Sequence, residues 1–364
     1  MNASTKDVTA TLHYLSTGLV EWEDTPPDEQ VQIPQSLRLG LSRMYAAAVL
    51  SGKPIPTTLP EFFKSAASPI KSWWEPVKAL SNITDTATLI EDGLVSDFAR
   101  EWALSGKDSI HQIQELPLAK LKEFCERHQL DDSYRQARGE LIVAQPVLKI
   151  AQLRKKVETK ELVKARDFFK MDDEGFYKPV IDLFGGIEYR LCPRCKYIQR
   201  LWEGEYICRK KSCELIVRQK GLKNHIQIIP TAEINEWVAV TPGVHRYGTI
   251  PGIWELELRD KLVELGAKVT LYPQIDRYDL LVEFPNSQKW AIDVKDWSYV
   301  SKERLSKVSC QLGVNATFVV FPDANDLNIP AIRKRKEFQP QALKGLQLRL
   351  ISEIVRQAKE VAEE

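Results

Sequence analysis

The stretch YDLLVEFPNSQKWAIDVKDW, residues 278–297, sets two carboxylates and an ammonium among residues that otherwise read as core. Asp279 opens one apolar run and Asp293-Val294-Lys295 lies inside the next, with thirteen residues between the two acids. The runs read as strands joined by a turn at PNSQ, so the start of the first meets the end of the second. Alternation puts Asp293 and Lys295 on one face and Val294 on the other. Asp and Lys are disfavoured in strands and costly to bury without partners. A hard divalent cation, Mg²⁺ or Mn²⁺, would offset the acids, because it takes oxygen ligands, keeps several waters and bridges to phosphate oxygens. The chemistry that suits this grouping is the binding of a divalent cation together with a phosphate-bearing partner.

A third acid comes from GIWELELRDKLVELG, which has helical spacing. Glu255 shares a face with Leu258, Leu262 and Leu265, whereas Glu257 lies with Lys261 and Glu264 on the wet side. An acid on the buried face needs a reason to be there, and Glu255 is the candidate.

A second chemical signal is CPRCKYIQRLWEGEYICRKKSC, in which Cys192, Cys195, Cys208 and Cys213 follow the pattern C-x2-C-x12-C-x4-C. Two residues between thiolates make a knuckle that brings both sulfurs to one tetrahedral Zn²⁺, and a hairpin returns the second pair. Four cysteines leave no open coordination position, so such a zinc is structural. A redox role for the C-x2-C pair lacks the βαβ setting it needs. The tract is basic, with ten Lys/Arg against four Glu between 188 and 223, and Tyr197, Trp202 and Tyr206 are interleaved. Arg194, Lys196, Arg200, Arg209, Lys210 and Lys211 are therefore candidate contacts to nucleic acid, the alternative being a solvated charged face. Lys302 and Lys307, and Arg333, Lys334, Arg335 and Lys336 in the RKRK cluster, are further candidates for the phosphate backbone.

The elements that must position these groups follow from periodicity. A helix is expected at 253–265, strands at 267–272, 278–284 and 289–294, a helix at 301–312, a strand at 316–321 and a C-terminal helix. That order describes an α/β domain with a small mixed sheet. Upstream, QSLRLGLSRMYAAAVL, TATLIEDGLVSDFAREWAL, LAKLKEFCERH and the run 131–170, interrupted at Pro146, carry helical spacing. The expected organisation is a helical domain over 1–185 with an irregular lead-in at 1–33, a cysteine module at 186–228, and the mixed-sheet domain at 229–364. The DLFGG turn at 182–186 marks the first boundary. Trp73, Trp74 and Trp102 read as core rather than as a stacking surface.

Bulk properties narrow the class. The 364 residues are 43% hydrophobic and 28% charged, enough for two or three soluble domains. No apolar run reaches the length of a membrane span, and MNASTKDVTA lacks the features of a signal peptide, so a cytoplasmic protein without disulfides is expected. The net charge of +1 hides a balance of −5 over residues 1–150 and +6 over 151–364. A polyanion should sit on the second part.

Residues 250–325 resemble the core of the PD-(D/E)XK, or restriction-endonuclease-like, nucleases: a helix with Glu, two strands with Asp opening the second, a strand with D-x-K, a helix and a strand. Tyr278 stands where the name-giving Pro would be. The resemblance implies that Asp279, Asp293 and the Val294 carbonyl bind Mg²⁺, that Glu255 completes the shell, and that Lys295 orients the attacking water. The whole arrangement, with its zinc-ribbon-like segment, is similar to the restriction-endonuclease-like partners encoded beside pPIWI-RE proteins. That implies a nuclease acting on invading DNA with helicase and Argonaute-like partners, the helical part serving as a docking platform. A homodimer is compatible with the same reading. The rival functions are a catalytically silent nucleic-acid-binding adaptor built on the cysteine module, and a scaffold built on the helical part.

Overall fold

Ser4 accepts the Asp7 amide and starts a helix, Thr5–Asp24, where an irregular lead-in was expected. Val8, Leu12, Leu15 and Leu19 recur at spacings of three and four and are buried, which outweighs the polar residues around EDTPPDEQ. The computed structural model describes residues 4–25, 30–52, 54–104, 111–171, 175–184, 188–325 and 327–363. Among these, no helix is long and apolar enough to cross a membrane.

Two compact units divide the chain: residues 1–113 with 297–301, and residues 114–296 with 302–364. The first contains the helices Thr5–Asp24, Gln35–Ser51, Leu59–Ala66 and Asp97–Leu104. Within TATLIEDGLVSDFAREWAL the chain forms a hairpin of β1 (Ile90–Glu91) and β2 (Leu94–Val95) before the last of these helices. Asp92 and Gly93 both have positive φ, the conformation a two-residue hairpin turn requires, so the D-G pair overrides the helical spacing. Trp74 and Trp102 are core residues of this unit, and Trp73 packs edge-on to Phe62 at its margin.

The second unit begins well before residue 185. Residues 121–184 share one core with the cysteine module and with Val238, Val240 and Ile250, so the compact units do not follow the expected boundary at 185. A three-stranded sheet explains this. It joins β3 (Val147–Lys149) and β4 (Tyr177–Pro179) to β9 (Trp237–Val240), strands far apart in sequence. Between them come β5 (Tyr189–Leu191), the hairpin β6 (Arg200–Trp202) and β7 (Glu205–Ile207), the helix Lys211–Gln219, and β8 (Gln227–Ile229).

The C-terminal sheet has the order β10 (Lys268–Leu271), β11 (Leu280–Glu283), β12 (Lys289–Val294), β13 (Ala316–Phe321), β14 (Gln347–Leu350). The first three are antiparallel and the last three parallel, so the sheet is mixed and the architecture is α plus α/β. Trp254, Leu258 and Leu262 of the helix Ile250–Glu264 share a core with Ile354 and Ala358 of the helix Ile351–Glu363. That core also takes Leu280, Val282, Trp290, Ile292, Val294, Phe318 and Val320, which alternate onto one face of the sheet. The helix expected at 301–312 is confined to Lys302–Ser306. It ends in three-residue turns, Lys307 to Arg304 and Val308 to Leu305, while the Ser306 hydroxyl donates to the Glu303 carbonyl. Strand β14 went unforeseen because its short run merges into the helical pattern after it.

Candidate active site and cysteine cluster

Asp279 and Asp293 lie on the sheet face opposite the helices, at the end where β11 begins and β12 finishes. The register pairs Leu280 with Ile292, and one step further sets Asp279 against Asp293. Asp279 Oδ2 accepts the Val294 amide at 2.6 Å. Lys295 Nζ stands 3.3 Å from Asp293 Oδ1 and 3.9 Å from Asp279 Oδ2. Burial pushes the Asp279 carboxyl well above the usual range; Lys295 pulls it down, and Glu255, Asp293 and Asp276 push it further up. Burial alone would lower the Lys295 ammonium, but Asp279, Asp293 and Asp276 outweigh it and keep the amine charged. These three side chains open on a cleft of about 330 Å³ that Lys122, Asp276, Arg277 and Lys307 also line.

Glu255 is 1% exposed, on the buried face that its spacing predicts. Its Oε1 accepts from Arg138 Nη2 at 3.4 Å, and the Tyr272 hydroxyl faces the same carboxyl. Burial raises this carboxyl above its ordinary value against the pull of Arg138. Arg138 belongs to a π-helical stretch, Gln136–Val143, and lies 5.7 Å over the Tyr272 ring. The close approach rests on Gly252, where a Cβ would come within 2.2 Å of Val143 Cγ2.

Asp276 is a neighbour that the sequence reading passes over. It caps a backbone turn in which Tyr272, Gln274, Ile275 and Asp276 all have positive φ. Such a run costs on the order of 1–2 kcal/mol per residue and is held from outside. Tyr134 Oη donates to Asp276 Oδ2 at 2.7 Å, Lys122 Nζ to the Asp276 carbonyl at 2.6 Å, and the Ile275 amide to Asp131 at 3.2 Å. An acid three residues before Asp279 was visible; Lys122, Tyr134 and Arg138 carried no signal.

The cysteine quartet is buried and tight. Cys192 and Cys213 Sγ are 3.6 Å apart, Cys195 and Cys208 Sγ 3.7 Å, and all four sulfurs lie within 4.8 Å of one another. A tetrahedron of about 2.3 Å metal–sulfur bonds has edges of about 3.8 Å, so the cluster could bind zinc as it stands. Hydrogen bonds from its three neighbours, Cys195 first, hold Cys192 toward the thiolate, while Cys195 and Cys208 are pushed up, first by Cys192. The first pair sits on a knuckle: the Cys192 amide donates to Tyr197, the Lys196 amide to Cys192, and Lys196 takes a positive φ. The second pair departs from a ribbon, since Cys213 comes from the first turn of the helix Lys211–Gln219. Buried Glu214 accepts the Cys208 amide at 2.9 Å. Among the described residues this quartet meets the 4.8 Å spacing; the carboxylates of Glu255, Asp279 and Asp293 as a trio do not.

The candidate nucleic-acid residues separate into two groups. Lys196, Arg209, Lys211, Lys302, Lys307, Lys334 and Lys336 are exposed. Arg200 lies over Trp202 and Arg209 over Phe184; Arg333 pairs with Glu353 and Arg335 with Glu337. Arg194 and Lys210 instead turn inward, Arg194 to Glu257 at 3.1 Å and Lys210 to Asp296 at 2.8 Å, their side chains 5% and 13% exposed.

Residues 252–364 match a family model described as REase associating with pPIWI_RE. Residues 12–149 match the pPIWI_RE three-gene island domain Y. No curated protein and no solved structure matches the chain.

Proposed function

We propose that the chain, whose residues 252–364 and 12–149 match two pPIWI-RE family models, is a REase partner of such a system and a Mg²⁺-dependent nuclease that hydrolyses phosphodiester bonds in DNA. The observation that carries this reading is the convergence of Asp279, Asp293 and Lys295 on one cleft at the sheet margin. The mixed sheet, entered by the Glu255 helix, supports a restriction-endonuclease-like core. The other products of the three-gene island are its natural partners, in defence against invading DNA.

The donor set suits a hard cation. It is oxygen-only, and two buried acids share one ammonium. Mg²⁺ retains waters when two carboxylates hold it. Asp279 and Asp293 would be those two, with the Val294 carbonyl beside them and Glu255 behind. When bound, the cation supplies a water of lowered pKa and charge on the phosphoryl oxygen. Lys295 keeps its proton and presents positive charge where it develops on the scissile phosphate. Arg277 and Lys307 at the cleft rim take the backbone phosphates. In the cysteine quartet, zinc would be structural.

Incubating the full-length protein with labelled plasmid and single-stranded DNA, in Mg²⁺, Mn²⁺ or EDTA, tests the reading; the island partners are added in a parallel series. Cleavage abolished by EDTA is expected. DNA that is bound but stays intact throughout would favour the silent adaptor, which draws support from the pairing of Glu255 with Arg138.

A further inference from the structure

Each cysteine pair encloses a cation that reaches a different element of the carboxylate site. Arg194, between Cys192 and Cys195, places Nε and Nη2 3.1 Å from Glu257 Oε1. Its guanidinium lies 4.0 Å from the Trp254 ring centre, and its side chain is 5% exposed. Trp254 and Glu257 flank Glu255 on the same helix. Lys210, between Cys208 and Cys213, sets Nζ 2.8 Å from Asp296 Oδ2, the two side chains being 13% and 4% exposed. Asp296 directly follows Lys295. Ile216, from the module's own helix, packs in the core that holds Trp254, Ile292 and Val294.

Resting on the nuclease reading, we propose that Arg194 and Lys210 are positioning residues of the carboxylate site. The cysteine module is its brace, fixing the Glu255 helix through one pair and the Asp293–Lys295 strand end through the other. Phosphate contact requires exposed cations, and these two turn inward onto acids. Lys210–Asp296 is largely buried and Arg194–Glu257 half-buried, Glu257 being 35% exposed; neither kind of pair contributes much net stability, so two aimed at one site act through geometry. The metal enters indirectly. Closing four sulfurs on one ion would fix the two loops from which Arg194 and Lys210 extend.

Deleting one member of a buried pair strands the other charge and can unfold the chain, so the test neutralises both. The variants are Lys210→Met/Asp296→Asn and Arg194→Met/Glu257→Gln, in the full chain. Four readouts are compared with wild type: zinc content, binding of a DNA duplex, Mn²⁺ affinity, and hydrogen exchange at residues 290–296 and 252–258. The expected result is one zinc per chain and DNA binding within two-fold, with Mn²⁺ affinity and cleavage each lowered about ten-fold or more. Exchange should quicken at 290–296 in the first variant and at 252–258 in the second. Unchanged exchange and Mn²⁺ affinity would overturn the brace, as would a selective loss of DNA binding, which would make these cations contacts. If wild type neither binds Mn²⁺ nor cleaves while exchange still quickens, the nuclease reading falls and the mechanical coupling stands.

Discussion

The Asp279 carboxylate accepts the Val294 amide proton at 2.6 Å, tying the residue before β11 to the last residue of β12. That bond brings Asp279 against Asp293, and like charges facing each other across strands are destabilising. Without a divalent cation, one ammonium serves both acids. Asp293→Asn should therefore raise the melting temperature of the metal-free chain, by about 2 °C for a gain of about 1 kcal/mol. Added Mg²⁺ should stabilise the wild type more than the variant. A lower melting temperature in the metal-free variant would show that the crowding is already relieved.

Lys295 is expected to act on charge that develops during cleavage. Lys295→Ala should lower the cleavage rate by about 10²–10³-fold, the scale of losing one electrostatic donor in a water-poor site. DNA affinity should stay within a few-fold, because binding is spread over many exposed cations. Gel-shift and single-turnover assays on one preparation separate the two. Cleavage by the variant at the wild-type rate would remove Lys295 from the mechanism.

Legibility followed the range of the interaction. Strands β12 and β13 occupy the spans 289–294 and 316–321 read from the sequence, because each is built on a short apolar run, WAI and FVVF, closed by turn residues. The cysteine quartet was legible from spacing alone, and the buried face of Glu255 from helical periodicity. What stayed hidden depends on partners remote in sequence. Arg138 meets Glu255 across 117 residues, and nothing local distinguishes it from a surface arginine. Arg194 and Lys210 read as contacts to nucleic acid for the same reason: a sequence gives the charge, and only packing reveals the acid opposite. The strand β3 was lost inside a run of helix formers, although Pro146 marks its start.

His245 gives the chain a pH dependence of defined sign. Its ring is buried, stacks on Tyr197 at 3.7 Å, and has an Nε2 without a hydrogen-bond partner. Burial, then Arg246 and Arg209, push its pKa from 6.5 down to about 3. The unfolded chain thus binds a proton that the folded chain refuses between these two values. Stability is full above the unfolded value and falls as pH drops through the window, by up to about 1.4 kcal/mol per unit. His245→Phe should keep the stacking and flatten this part of the profile, measured by denaturant unfolding from pH 7 to pH 4. An equal slope in wild type and variant would assign the acid sensitivity to other groups.

The Arg138–Glu255 pair is the remaining point at which residues outside the C-terminal sheet control the acids within it. Both side chains are buried, 7% and 2% exposed, so removing one strands the other in a medium that cannot solvate it. Arg138→Met should cost about 3–5 kcal/mol of stability, and Arg138→Met/Glu255→Gln should recover most of it. Recovery would not restore cleavage if Glu255 belongs to the catalytic set, because the neutral amide cannot support a cation beside Asp279 and Asp293. Gly252→Ala probes the same contact from the backbone, since its Cβ would meet Val143 at 2.2 Å and push the π-helical stretch off the helix. Stability and cleavage measured on all three variants separate the roles. A double variant that is stable and fully active would leave Glu255 as a packing residue and the hydrolytic work to Asp279, Asp293 and Lys295.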